Sequence, residues 1–323
     1  MTMRHLLCTM LLTAFVPAAS ASVFQTPEAV RPRCIVPAKP GGGMDLSCKL
    51  VQKVMPSQAF QISYLPGGVG AVAWTTLLSQ RKAVPNTMVA FSGGSLLNIA
   101  EGKFGKADAT QVRWVAAIGT DYGMIAVRKD APYKTLRELM EALRKQPGRF
   151  AIGAGGTVGS QDWLKMAQIA RIAGVDPKAL KLVAFEGGGE SFTALLANHV
   201  QIVSGDVSEA SLHAKAGDIR VLAVLADARL PGALEQIPTA REQGYDVTWP
   251  IIRGVYMSPG ISDGEYQYWV SQFEKAMENP SFTEQRKAMG LYPFSMTGKA
   301  LTDYVMQTVE RYRVQAKELG MVR

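Results

Sequence analysis

The sequence predicts an α/β protein in two lobes, on three observations. Strand-like apolar runs alternate with helical ones, as parallel layers require. Glycine-rich loops stand at the junctions between them five times over. The alternating pattern runs through once and then begins again. A chain of 323 residues with 47% hydrophobic content exceeds what one core organises and is ample for two.

The first pass opens with a strand expected over 33–37 and a helix over 46–55. Strand 61–65, helix 71–80 and strand 87–91 follow, then two apolar stretches at 111–118 and 123–128. Thr135 and Glu138 have the spacing of a capping box, which starts a helix running to about Lys145. The second pass sets strand 150–153, helix 161–173, strand 182–185 and helix 191–198. Strand 201–204 ends at Gly205-Asp206, with helix 208–216 and strand 220–225 beyond it. A short helix over 238–244 is closed by Gly244. The segment 247–257 is extended, and Pro250 marks an edge or crossover position. Helices from Ser262 to about Glu278 and within 298–319 complete the chain. The C-terminal helices pack back on the first lobe, which makes lobe 1 residues 22–126 with 247–323 and lobe 2 residues 127–246. Two connections near Val127 and Asp246 would then act as paired hinges for closure.

Residues 1–21 read as a cleavable signal peptide. Arg4 and His5 precede a mainly apolar run over 6–16, and Ala19-Ser20-Ala21 supplies the small residues of a cleavage site. The run is too short for a bilayer span, and no later segment approaches one. The mature chain is therefore expected to be exported and soluble, with no membrane insertion after cleavage. The formal net charge is +8; without Arg4 it is 34 − 27 = +7. No basic run or aromatic-interleaved patch points to nucleic acid, so this charge reads as a solvated surface that also helps gather anions. Of three cysteines, Cys8 leaves with the peptide. Cys34 and Cys48 remain, either as a disulfide or as two buried thiols.

Function is written in the glycine loops. Pro37-Ala38-Lys39-Pro40-Gly41-Gly42-Gly43-Met44-Asp45 joins a strand to a helix start, where bare amides and the helix dipole suit an anion. Gly67-Gly68-Val69-Gly70, Ser92-Gly93-Gly94-Ser95, Gly155-Gly156-Thr157-Val158-Gly159-Ser160 and Gly187-Gly188-Gly189 repeat the arrangement. Gly42, Gly43, Met44, Gly68, Val69, Gly70, Gly93, Gly159 and Gly188 are the expected backbone contacts. Ser92, Thr157 and Ser160 either donate hydroxyls to a carboxylate or cap their own helices. Asp45 either receives a ligand amine or caps its helix. Asp206, at a strand end, either pairs with Arg253 or meets a ligand amine or hydroxyl. Arg253 has the planar fork for a bidentate carboxylate grip, the alternative being a surface ion pair. His199 and His213 read as surface or interface residues.

Metal-ligand spacings, a Gly-x-Ser-x-Gly elbow and the Gly-Lys-Ser/Thr of a P-loop are all missing. No cofactor, metal or catalytic residue is expected.

In this order and spacing, the motifs carry a resemblance. Val36-Pro37-Ala38-Lys39-Pro40-Gly41-Gly42-Gly43-Met44-Asp45, Pro66–Gly70 and Gly155–Ser160 are joined by Glu186–Glu190, Thr193–Leu196, Lys215–Val224, Pro238–Tyr245 and Arg253-Gly254. The chain resembles the tripartite tricarboxylate transporter solute receptors, also called Bug proteins, over nearly its whole length. The resemblance implies a class II periplasmic binding protein fold with a ligand cleft between two α/β lobes. It also implies a periplasmic, monomeric receptor that hands a carboxylate to a membrane permease of one large and one small subunit. The Glu186–Gly189 and Arg253-Gly254 patterns look closest to the citrate-type branch, so a citrate-like tricarboxylate or a dicarboxylate is the first expectation. Asp162-Trp163-Leu164 stands where many relatives carry histidine-leucine, and Ile252 replaces an aromatic. The alternatives are an aromatic carboxylate, a nicotinate-like compound or an acidic amino acid as ligand, a sensor subunit for a signalling partner, or an exported enzyme using Asp45 or Asp206 as base.

Overall fold

The computed structural model describes residues 31–80, 84–232 and 234–318, so the expected signal peptide lies outside the described residues. The first pass gives β1 (Arg33–Val36), α1 (Gly43–Val54), β2 (Gln61–Tyr64), α2 (Ala71–Ser79), β3 (Thr87–Ser92) and α3 (Gly93–Ala100). β3 is buried along its whole length and shows why its sequence is a continuous apolar run. Met88 and Ala90 point to one core cluster with Cys34, Trp269 and Phe273. Val89 and Phe91 point to another with Trp74, Trp114 and Tyr256. The two-residue period of a strand does this sorting. Cys34 on β1 and Cys48 on α1 are fully buried and bonded, with Cα atoms 5.6 Å apart. Of the two readings of these cysteines, the structure takes the disulfide.

The two apolar stretches expected at 111–118 and 123–128 are one strand, β4 (Arg113–Arg128). After it come α4 (Leu136–Lys145), β5 (Ala151–Gly155), α5 (Gln161–Ile172), β6 (Lys181–Phe185), α6 (Gly188–Leu196), β7 (Ile202–Asp206), α7 (Val207–Ala216) and β8 (Ile219–Leu225). β9 (Pro250–Met257), α8 (Asp263–Glu278), α9 (Pro280–Ala288), β10 (Met296–Thr297) and α10 (Gly298–Glu318) follow. The capping box before α4 is half made. Thr135 Oγ1 accepts from the Glu138 amide at 3.1 Å, but the Glu138 carboxylate takes the amide of Lys134. The expected helix at 238–244 is a single 3₁₀ turn, Arg241–Gln243, closed by Gly244 at φ +92°. The sequence reading did not anticipate α9, which is capped by the Asn279 side chain on the Ser281 amide at 2.9 Å.

From Arg113 to Tyr122, β4 pairs antiparallel with β9; from Gly123 to Arg128 it pairs antiparallel with β7 and β8. One half of the sheet therefore runs β2-β1-β3-β9-β4, and the other β6-β5-β7-β4-β8. Each half thus holds the same order, with a strand that enters from the other half inserted antiparallel before its last one, β9 in the first and the second part of β4 in the second. The chain passes between the halves at 122–123 and 249–250, where Gly123 N–H donates to Trp249 O. Helices cover both faces of each half, and the described residues cluster as one compact unit. Among the described residues no helix is long and apolar enough to cross a membrane.

Candidate functional site

The parallel strands deliver their C-terminal ends, and the helices that follow them their N-termini, to one place. Gly42, Ser92, Ser160, Gly187 and Asp206 are the N-cap residues of α1, α3, α5, α6 and α7, and all five line a single cavity. Free amides and the positive ends of five helix dipoles face inward there, which favours an anion. The cavity measures about 50 Å³ in this conformation, far below the roughly 300–1,000 Å³ of pockets that enclose small-molecule ligands.

Of the residues expected from sequence, Gly42, Gly43, Met44, Val69, Ser92, Ser160, Gly188, Asp206 and Arg253 line this cavity. Gly68 and Gly70 shape the turn that presents Val69 but do not line it. Gly93 is displaced by its neighbour Gly94, and Thr157 points to solvent while Gly159 is buried beside it. Asp45 is fully buried outside the cavity. Its carboxylate accepts from the Gly41 amide at 2.8 Å, from Lys49 Nζ at 2.7 Å and from Tyr64 Oη at 2.9 Å. The expected capping is not made, since the N-cap of α1 is Gly42 and Asp45 lies inside the helix; the carboxylate instead ties the glycine loop to α1 and β2.

Arg253 is also buried, at 2% exposure. Its Nη2 donates to Asp121 Oδ2 at 2.8 Å and to Asp206 Oδ2. Both hydrogens of that nitrogen are thereby committed, and the end-on fork expected to grip a ligand carboxylate is not open. Asp206 is bridged on its other oxygen to Lys165 Nζ at 2.6 Å, and Lys165 reaches Asp162 at 2.7 Å. The result is a buried chain of charges, Asp162–Lys165–Asp206–Arg253–Asp121, with Ser208 Oγ donating to Asp121 at 2.6 Å.

Glu209, in the first turn of α7, completes the wall. Its Oε1 accepts from the Gly43 amide at 2.8 Å, and burial, helped by the Asp206 charge, pushes its carboxyl up to about 8. It therefore holds its proton at neutral pH. Burial also raises the carboxyls of Asp121 and Asp162, against the pull of Arg253 and Lys165 respectively. For Asp206 burial pushes upward too, but Lys165 and Arg253 on either side hold it below the ordinary carboxylate range. Four buried polar atoms of this wall have no hydrogen-bond partner: Arg253 Nε, Gln161 Oε1, Glu209 Oε2 and Asp162 Oδ1, the last of which is ion-paired to Lys165. Such orphans are costly unless something meets them.

The sequence reading missed Glu209, Lys165, Asp121, Gln161 and Asn98. A signal existed for two of them. Asp121 is a lone carboxylate inside an apolar strand, and Lys165 lies one turn past Ser160 on the face carrying Asp162. The glycines also have a second reason. A methyl at Gly43 would collide with the Arg253 guanidinium, and one at Gly188 with the Glu209 carboxyl. Neither has positive φ; they are bare so that two buried polar side chains can lie against the backbone.

Residues 103–321 match the family described as tripartite tricarboxylate transporter family receptor. A UPF0065 protein of Bordetella pertussis is 24% identical over 314 residues, 95% of each chain. A UPF0065 protein of Cupriavidus necator is 24% identical over 205 residues, a match that covers 64% of this chain and 61% of that protein. Among solved structures, the fold is shared with Rpa4515 of Rhodopseudomonas palustris with adipate (TM-score 0.78, 20% identity, 90% of this chain and 97% of that one). It is also shared with MatC of R. palustris with bound malate (TM-score 0.75, 19% identity, 88% and 99%).

Proposed function

The chain belongs to the tripartite tricarboxylate transporter receptor family, and we propose that it is a periplasmic solute receptor for a small di- or tricarboxylate. The observation that carries this reading is the convergence of five helix N-cap residues on one cavity. Gly42, Gly43, Gly188 and Val69 would supply backbone contacts, and Ser92 and Ser160 hydroxyls. The Arg253 Nε, unpartnered, would be the single side-chain cation contact. Malate and adipate in the R. palustris structures give the ligand class independent support.

A cavity of about 50 Å³ does not admit a four- to six-carbon acid. The two sheet halves therefore act as lobes that part at the 122–123 and 249–250 crossings and close over the ligand, and the closed form is what a two-subunit permease recognises. The protein returns its ligand unchanged; His213 stacks on Phe192 and takes no part in the cavity.

One observation favours a second ligand class. Glu209 Oε2 is an unpartnered oxygen beside three further carboxylates and only two cations, and the ammonium group of an acidic amino acid would displace the Glu209 proton and pair with the carboxylate.

The test is a thermal-shift screen of mature protein, unfolded and refolded to strip carried-over ligand. The panel holds citrate, malate, adipate, aromatic carboxylates, aspartate and glutamate. A ligand at 100 times its Kd stabilises the fold by about 2.7 kcal/mol. A hit among the plain carboxylates supports the reading, a hit confined to amino acids moves it to the second class, and silence across the panel overturns both.

A further inference from the structure

A second, larger cavity of about 700 Å³ lies between α1, α7, the residues Pro231, Gly232 and Leu234, and the stretch from α9 to Pro293. Four cations line it, Lys53, Lys215, Arg286 and Lys287, against one carboxylate, Glu284. None of the five makes an ion pair with the described residues. The lysines are exposed, and alone they would be an ordinary solvated surface. Arg286 is different. It is 7% exposed, its stem runs beside Gly119 of β4, and its guanidinium lies 5.4 Å from the Phe282 ring centroid. Burial lowers its pKa, and no carboxylate opposes that effect.

The contrast with Arg253 is informative. Both arginines are buried, and Arg253 has two carboxylates of its own chain. Arg286 has none, and what it faces is the cavity. Buried charges are paired or else meet a ligand.

We infer that this cavity binds a compact oxyanion of two or more charges, a phosphate or a polycarboxylate, with Arg286 as its deep contact and Lys53, Lys215 and Lys287 at its rim. The site has a built-in connection to the glycine-loop cavity, because α1 and α7 serve both. Met44 and Glu209 line the first cavity; Leu46 and Ser208, on the same two helices, line the second. α1 and α9 stand on one sheet half and α7 on the other, so an occupant touches both halves and favours their apposition. By linkage, anion and cleft ligand then strengthen each other's binding. That the anion site exists does not rest on the ligand proposed for the cleft.

The experiment is calorimetric titration of the mature protein with pyrophosphate and, separately, with citrate. The variants are Arg286→Met, the surface triple Lys53→Gln/Lys215→Gln/Lys287→Gln, and the cleft variant Ser160→Ala. Saturable pyrophosphate binding that weakens at least tenfold in Arg286→Met and in the triple variant, and is unchanged in Ser160→Ala, is the expected result. If Arg286→Met fails to fold, the triple variant carries the test on its own. Citrate binding that follows the same variant pattern assigns the site to polycarboxylates as well; citrate sensitive only to Ser160→Ala restricts it to phosphates. No saturable binding, equal affinity in the triple variant, or loss in Ser160→Ala overturns the inference.

Discussion

The amide of Gly43, in the first turn of α1, donates to Glu209 Oε1 on α7 at 2.8 Å. It is a bond between the two sheet halves, made inside the cavity by a backbone group. A glycine loop expected to bind only ligand thus also ties one half to the other.

Gly43→Ala would drive a methyl into the Arg253 guanidinium. Overpacking of this kind costs about 1–3 kcal/mol, and the displaced guanidinium would abandon Asp206 and Asp121. We expect a lower Tm and loss of ligand binding, with Gly188→Ala behaving alike through Glu209. Gly148→Ala, where a methyl meets nothing, is the control and should leave both unchanged.

Glu209 gives a pH signature. Its folded carboxyl titrates at about 8, from an ordinary value of 4.5. The folded state therefore binds more protons between those values, and stability from this group is complete below about pH 4.5 and lost as pH rises toward 8. The slope approaches at most about 1.4 kcal/mol per pH unit. Glu209→Gln cannot titrate. Urea unfolding at pH 5, 6.5 and 8 should show the variant gaining on the parent at each step; parallel profiles would remove the buried proton.

Asp45→Asn separates scaffold from site. An amide in place of the carboxylate sets a donor against the Gly41 amide, Lys49 or Tyr64. Leaving such buried groups unmatched costs about 1–3 kcal/mol. The variant should melt earlier yet keep the same preference between plain carboxylates and amino acids, measured by calorimetry. A selective loss of amine-bearing ligands would return Asp45 to the cleft.

The Cys34–Cys48 bridge closes a short loop, with a sequence separation of 14. In the chain-entropy account a loop of about that size contributes about 3 kcal/mol. Replacing both cysteines by alanine should lower the unfolding free energy by that order without altering ligand affinity, since neither lines the cavity.

What could be read from sequence was what is local. Ser92 and Ser160 were found because an N-cap is recognisable from its neighbours, and the loops because glycines precede helical periods. Glu209, Lys165 and Asp121 escaped because their roles are fixed by partners far along the chain. Arg253 meets Asp121 across 132 residues, and Glu209 meets Gly43 across 166. A charged residue that will be buried looks, in one dimension, like one that will not. α9 escaped for a related reason: Pro280–Ala288 is mostly polar, and what holds it is packing of Phe282 beneath α1 and α8. The expected break between 118 and 123 is not a break in the strand: Asp121 interrupts the apolar pattern while still pairing with Ile251, and at 122–123 the same strand changes partners from β9 to β7 and β8.

β4 has an implication for how such a molecule can be divided. Gly123–Arg128 fills a slot between β7 and β8, and Pro250–Met257 fills the equivalent slot between β3 and β4. Cutting the chain at the crossings would leave 31–122 without β9, and so with an open ladder between β3 and β4, whereas 123–249 keeps all five strands of its half. The first half is rebuilt only from two separate pieces of chain, and the second can be excised as one.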